Sequence, residues 1–441
     1  MPKNNKKNPA KRFLKAFLTT VIISVTVLFV VANVIDFPFN SKNEDTVIKN
    51  SSNKTDSAAI DPDKVVATAS ISSVGDILIH APVFNSVLTA DGTYDFNPIF
   101  KHIGPYFAKY DYNVANLEVS LGGTENGRQY SGYPLFNCPD SIIDASKNMG
   151  VDMLLLSNNH TYDCGYQGFF RKIKVIEDKG LAYSGVASDN SQKLYNIVEI
   201  NGIKIGMINY TYETPSYYEG TKAINGITLD DEVVNLVNTF NYDNLDIFYK
   251  DLEQKISMMK KDGAEAIVVY PHWGTEYNLQ GNEYQTQMAQ KMCDLGVDVI
   301  IGGHPHVVEP VRTFTSEISG KRTVCLYSMG NFISNQRKHL MNLSTGNTED
   351  GLIFVVNFEK YGDSSVKVKS VDAIPTWVDL TDGRYTVIPL DDTISDWGSK
   401  FGLSDSSVTA AKESYNRTMS LVEEGIVEFN SEAYSKKDTN Q

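Results

Sequence analysis

Cysteine is scarce in this chain of 441 residues. Cys138, Cys164, Cys293 and Cys325 are the full set, and none forms a Cys-x-x-Cys pair. Zinc knuckles and thioredoxin-like dithiol chemistry are therefore excluded. So sparse a set reads as buried thiols, with disulfides the alternative. Positive charge is short as well: the formal net charge is −14 and the sequence pI is near 5.0. No basic patch outside the N-terminus offsets it, which excludes a nucleic-acid partner. Internal repeats are absent. What the chain has in quantity is apolar content, 41% of residues, with 24 Tyr and 20 Phe. That is enough for a packed core and argues against disorder over most of the length.

One long hydrophobic run stands apart. A basic segment, 1–15, carries Lys3, Lys6, Lys7, Lys11, Arg12 and Lys15 and leads into an uncharged run, 16–35, from Ala16 to Ile35. As a helix that run crosses the roughly 30 Å hydrocarbon layer. Basic flanks stay in the cytoplasm. The prediction is a single transmembrane helix: a single-pass cell-membrane protein, N-terminus cytoplasmic, main domain extracellular. A cleaved signal peptide, with Val30 and Ala32 before the cut, is the alternative. The next segment, 36–64, is polar and reads as a linker.

From Val65 the pattern changes to short apolar runs separated by amphipathic stretches, defining a domain over 65–395 and a C-terminal helical tail over 396–441. Buried strands are predicted at Ala67–Leu78, Tyr112–Leu117, Asp152–Leu156, Ile197–Ile200, Lys204–Asn209, Ala266–Tyr270, Val297–Ile301, Thr323–Tyr327 and Leu352–Phe358. Weaker strand signals lie at Val366–Ile374 and Tyr385–Ile388. Helical periodicity marks Asp140–Met149, Gly168–Lys179, Asn244–Asp262, Tyr284–Leu295 and Ser404–Glu424, and Ser431–Gln441 is polar enough to fray. Strands alternating with helices, and reading as continuous apolar runs, predict an α/β domain with a parallel or mixed sheet.

The residues just past those strands carry the chemistry. Asp76, Asn116 with Glu118, Asn158 to His160, His272, and Gly303 to His306 each follow an apolar run. Ligands gather at the carboxyl ends of strands in open α/β sheets, so the five segments predict one composite site. Neutral imidazole suits Zn, Mn or Fe, and carboxylate or amide oxygen suits Mn or Mg. The predicted metal ligands are Asp76, Glu118, Asn159, His272, His304 and His306, for one or two divalent ions, with His160 and His272 as catalytic candidates. Asn116, Asp163, Glu276, Ser328 and Asn331 are expected behind them as orienting partners, since ligating histidines need their second nitrogen fixed. Pro305 limits the backbone between His304 and His306.

Six blocks in order also resemble a known family, the CapA family of poly-γ-glutamate capsule biosynthesis proteins. They are Ser73–Leu78, Ala115–Glu118, Ser157–Gly165, His272–Tyr277, Ile301–Val307 and Tyr327–Phe332. The resemblance implies a calcineurin-like metallophosphoesterase fold, a β-sandwich flanked by helices with a two-metal site at the strand ends. It also implies partners: a membrane, other capsule synthase membrane subunits, and poly-γ-glutamate or a related anionic polymer. The sequence departs from the usual phosphoesterase pattern at three points. Asp76 is followed by Ile77 and Leu78 rather than Asp-x-His, and His80 takes that place only if the strand ends early. Asn116 and Glu118 stand where a bridging Asp is usual, and Thr161 stands where an acid follows Asn-His. Two functions follow: a metal-dependent component of capsule synthesis or export acting on the polymer, or a non-catalytic accessory subunit of the synthase.

Overall fold

Alternation with period two builds the layers of the molecule, whose computed structural model describes residues 61–216, 218 and 220–435. The strands in chain order are β1 (Val65–Ile77), β2 (Tyr112–Leu117), β3 (Met153–Leu155), β4 (Ala182–Ser184), β5 (Asn196–Ile200) and β6 (Ile203–Tyr212). A short hairpin of β7 (Ala223–Ile224) and β8 (Ile227–Thr228) comes next, then β9 (Thr239–Phe240), β10 (Ala266–His272) and β11 (Val299–Ile301). The last are β12 (Val311–Thr315), β13 (Arg322–Leu326), β14 (Asn331–Ile333), β15 (Asp350–Tyr361), β16 (Val366–Thr381) and β17 (Arg384–Pro389).

Along β10, Ala266, Val268 and Tyr270 enter one apolar cluster while Ile267 and Val269 enter another. Successive side chains of a strand point to opposite faces, so a strand buried on both sides reads as unbroken apolar sequence. β15 does the same: Leu352, Phe354, Val356 and Phe358 join the cluster shared with β10, and Ile353 and Val355 face away from it. That shared cluster also takes Ala69 and Ile71 from β1 and Ile203, Ile205 and Met207 from β6. It is the core between two sheets packed face to face.

The first sheet runs β17-β16-β15-β1-β2-β3-β4, with β14 paired to the end of β1. β1 to β4 are parallel, and β15 to β17 are antiparallel additions. The second runs β12-β13-β11-β10-β6-β5, parallel from β6 through β13, with antiparallel strands at both edges. Helices Ser141–Asn148 and Gly165–Asp178 cover the outer face of the first sheet through Ile142, Ile143, Phe169, Ile173 and Ile176. Helices Leu245–Lys261 and Glu283–Asp294 cover the second through Phe248, Leu252, Ile256, Met288 and Met292. The expected α/β architecture of mixed sheets with flanking helices is the one observed. A long C-terminal helix, Asp405–Ser435, lays Val422, Ile426 and Phe429 against the shared core. Its Arg417 grips buried Asp350 through two bonds of 2.8 Å.

One expectation is corrected. The predicted transmembrane run, 16–35, lies outside the described residues. Among the described residues no helix is long and apolar enough to cross a membrane. The single-pass assignment with an extracellular domain is therefore not carried forward.

Candidate metal centre

Parallel strands from both sheets end at one place. Asp76 is the penultimate residue of β1, and Asn116 lies beside it in register on β2. Gly75 permits this: a Cβ there would meet Gly330 O at 1.9 Å, the carbonyl that accepts the Asp76 N–H at 3.0 Å. Glu118 is the first residue past β2, its N–H bonded to Ile77 O at 3.2 Å. Past β3, Asn158 donates to Leu117 O at 2.9 Å and to Asn116 Oδ1 at 3.0 Å, which sets the turn carrying Asn159 and His160. From the second sheet come His272, the last residue of β10, and the turn after β11 with His304 and His306. Both of those histidines have positive φ, 99° and 58°. Non-glycine residues pay strain there, and the Gly303–His306 turn holds both imidazoles in that form.

The side chains converge in two groups, Glu118 with His272 and His304, and Asp76 with Glu118 and His306; within each, the ligand atoms lie within 4.8 Å of one another. Glu118 belongs to both. Its Oε1 is 3.6 Å from His272 Nε2 and 3.7 Å from His306 Nε2, too long for hydrogen bonds. Ligands on a cation at about 2.1 Å sit roughly 3 Å or more apart, so this spacing suits a shared ion. Asn159 Oδ1 lies 2.9 Å from His272 Nε2 at the same edge. Two buried atoms, Glu118 Oε1 and His304 Nδ1, have no hydrogen-bond partner. Buried polar atoms are nearly always paired, and two such orphans within one ligand group fit a cation held between them. Gly303 keeps the space open: a Cβ there would lie 3.2 Å from Asp76 Oδ1 and 3.7 Å from His272 Nδ1.

Electrostatics prepare the same donors. Burial, then the neighbouring Asp76, pushes the Glu118 carboxyl well above its usual range. Burial, then the neighbouring imidazoles, holds His272 well below its ordinary value and His304 down at about 3. Both rings are therefore neutral, the form that ligates metal.

Of the predicted orienting residues, the fold brings Asn116, Asn331 and Asp163 against Asp76, His306 and His160. Asn116 Nδ2 reaches Asp76 Oδ1 at 2.7 Å. Asn331 Oδ1 and Asp76 Oδ2 each lie 3.1 Å from His306 Nδ1, and Asn331 Nδ2 is anchored on His306 O, Gln336 Oε1 and Thr348 O. Asp163 Oδ2 lies 2.7 Å from His160 Nδ1 and accepts from Phe136 N at 2.8 Å. Ser328 does not touch a histidine; its Oγ accepts the Gly330 N–H at 3.2 Å and shapes the turn before β14. Glu276 is exposed at the rim, near enough to Tyr212 and Tyr277 to raise both phenols, after burial. His160 falls outside both ligand groups.

Sequence reasoning missed Tyr212, Tyr277 and Asn225, and gave His80 a place only if β1 ended early. Tyr212, at the end of β6, packs its ring 4.8 Å from His304. Tyr277, with φ of 64°, faces His306 at 6.2 Å. Asn225, on the hairpin turn, donates to Asp163 Oδ1 at 3.1 Å. His80 lies past the end of β1, electrostatically beside His306 and His160, and burial holds it down at about 4. Tyr212 and Tyr277 were legible by the same strand-end logic; Asn225 had no local signal.

A mixed two-sheet α/β protein with carboxylates and neutral imidazoles gathered at its strand ends is of the class able to hold divalent cations. Its sequence places it further. The family described as "Bacterial capsule synthesis protein PGA_cap" matches residues 70–336, a span holding every residue of both ligand groups, and the chain belongs to that family. It is 29% identical over 267 residues to the "Capsule biosynthesis protein CapA" of Bacillus anthracis, covering 60% of this chain and 59% of that protein. It is 27% identical over 305 residues to the "PGA biosynthesis protein CapA" of Bacillus subtilis, covering 69% of this chain and 71% of that one. Among solved structures, the sulfate thiohydrolase SoxB of Thermus thermophilus in complex with glycerol aligns over 70% of this chain and 42% of its own, with TM-score 0.34 and 12% identity. That likeness is too distant to bear on the fold, which rests on the topology above.

Proposed function

We propose that this chain acts in capsule biosynthesis as a metal-dependent hydrolase of the metallophosphoesterase type, working on the capsule polymer, poly-γ-glutamate or a related polyanion. The observation that carries the reading is Glu118, a buried carboxylate shared by two ligand groups, with one oxygen left without a partner. Asp76, Glu118 and His306 would hold one ion, and Glu118, His272 and His304 a second. Divalent ions held there supply Lewis acidity to the bond being broken, and offset the acidic surroundings that a polyanion would otherwise avoid. His160 provides the proton traffic. Asp163 fixes its Nδ1, which leaves Nε2 as the edge that gives or takes a proton. Asn116 and Asn331 hold Asp76 and His306 in place, and the Gly303 space admits the reacting group.

The test uses the full chain, stripped by chelation and refilled with Mn(II), then measured by elemental analysis and incubated with poly-γ-glutamate. Wild type is expected to retain manganese and shorten the polymer. A His304→Ala, His306→Ala variant is expected to do neither. Failure of the wild type to retain metal sinks the reading; retention with an unchanged polymer replaces hydrolysis by the accessory role.

A further inference from the structure

His80 is a histidine with one nitrogen fully assigned and the other unused. It stands between β1 and the short helix Ala81–Asn85, whose first turn is capped by its backbone and not by its ring. Val83 N and Phe84 N both donate to His80 O, at 2.9 and 3.2 Å. The ring is therefore free for another task. Its Nδ1 accepts the Asn335 N–H at 3.3 Å and lies 3.2 Å from Leu78 O. Leu78 O already takes the His80 N–H at 3.2 Å, whereas the Asn335 N–H has no other acceptor among the described residues. Asn335 is itself pinned by the Tyr385 hydroxyl at 2.5 Å. With Nδ1 accepting from Asn335, the proton of the neutral ring sits on Nε2. Among the described residues that Nε2 makes no hydrogen bond.

Its surroundings tie it to the site. The Phe136 ring lies edge-on between His80, at 5.2 Å, and His160, at 4.6 Å. Each imidazole is held at Nδ1, one by Asn335 and the other by Asp163, and each lies electrostatically close to ligand histidines, His80 to His306 and His160 to His272 and His304. Phe136 is fully buried while His80 stays partly exposed. Two imidazoles, each held at Nδ1, thus contact one buried aromatic ring.

We propose that His80 is a substrate-contacting residue of the metal centre, its Nε2–H donating to an anionic oxygen of the bound substrate. This rests on the metal-dependent reading above. The ligand chemistry is an oxyanion, phosphoryl or carboxylate, and a neutral donor suits either one.

The experiment uses full-length chain loaded with Mn(II), and titrates inorganic phosphate and acetate separately into wild type, His80→Phe and His80→Gln by calorimetry. Metal stoichiometry is measured in parallel. The inference expects unchanged stoichiometry in all three, and about tenfold weaker binding of the preferred anion in His80→Phe, the weight of a hydrogen bond to a charged group. His80→Gln, which keeps a donor, recovers part of that loss. Tighter phosphate binding identifies a phosphoryl substrate, tighter acetate a carboxylate one. In wild type loaded instead with diamagnetic Zn(II), the 15N resonance of His80 Nε2 moves on adding that anion, a readout independent of any variant's folding. Equal anion affinity in His80→Phe, no anion binding by loaded wild type, or an unmoved resonance overturns the assignment. A wild type that takes up no manganese overturns the metal-dependent reading, and this inference with it.

Discussion

Replacing Glu118 by Gln separates the metal reading from a purely structural one, because it moves stability in opposite directions with and without metal. Glu118 is fully buried and its pKa is raised, chiefly by burial and then by Asp76. A carboxyl with its folded pKa above its unfolded value contributes most below the unfolded pKa, and loses that contribution as pH rises toward the folded one. Without metal at neutral pH, Gln removes this penalty at nearly equal volume, so the variant is at least as stable as wild type. With metal, the variant loses the one anionic ligand that both groups share. Loss of a mere orienting partner weakens metal binding by 10–100-fold, so about 100-fold is a floor here. Metal at about 1,000 times its dissociation constant stabilises wild type by about 4 kcal/mol, and after a 100-fold weakening by about 1.4 kcal/mol. At roughly 1–2 °C per kcal/mol for a unit this large, the manganese-induced rise in Tm falls from about 4–8 °C to about 1–3 °C. Differential scanning calorimetry of both proteins, chelated and refilled, measures this. An equal manganese-induced rise in both refutes the reasoning, and so does a metal-free variant several degrees less stable than wild type.

Three further outcomes are expected. Glu309 is fully buried, with Oε2 on Gln285 and Oε1 without a partner, and burial pushes its pKa up to about 8. Its contribution is fullest below about pH 4.5 and declines up to about pH 8, so Glu309→Gln should flatten the urea-measured stability curve across that window, by up to about 4 kcal/mol. A variant curve parallel to wild type counts against it. Arg417→Met leaves the Asp350 carboxylate buried and unpaired, and should cost about 3–5 kcal/mol at pH 8. The cost should shrink near pH 5, where Asp350, already raised to about 6 by burial, takes up a proton; equal loss at both pH values excludes the pairing as its cause. At His304, with φ of 99°, the metal-free Gly variant should be more stable than the Ala variant by about 1 kcal/mol, reversing the usual order of these residues. Thermal melts in chelator decide it.

How much was readable in advance depended on where each signal sat. β2 matches its predicted span, Tyr112–Leu117, because both its faces are buried and the sequence is unbroken. The second half of β16 was missed because Pro375 interrupts it. A proline is unexpected in a strand paired on both sides, yet Pro375 lies opposite Leu352 and its carbonyl still accepts the Leu390 N–H at 2.7 Å. β12 is an edge strand with one fully buried residue, so it offered almost no pattern. The C-terminal helix was placed correctly at its start but runs to Ser435, past Glu424, since its later apolar residues pack on a core that only the folded sheets create. At the site, strand-end polarity named all five residues of the two ligand groups, and Asn159 beside them. It assigned Ser328 to the wrong partner because a hydroxyl near a Gly turn serves backbone and histidine equally well on paper.

The ligands come from segments 230 residues apart in sequence and from both sheets, Asp76 on one and His306 after a strand of the other. No single hairpin or helix contains more than a fragment of either group, so a partly folded chain offers a cation nothing better than scattered side chains. Metal uptake at this site would then be a property of the completed molecule alone. Occupancy would couple to global unfolding in full by mass action, and scarcely at all to local opening at the termini. A cell short of the right ion would thus carry a whole domain that is easier to unfold and degrade, so the supply of one cation would set how much of this protein persists.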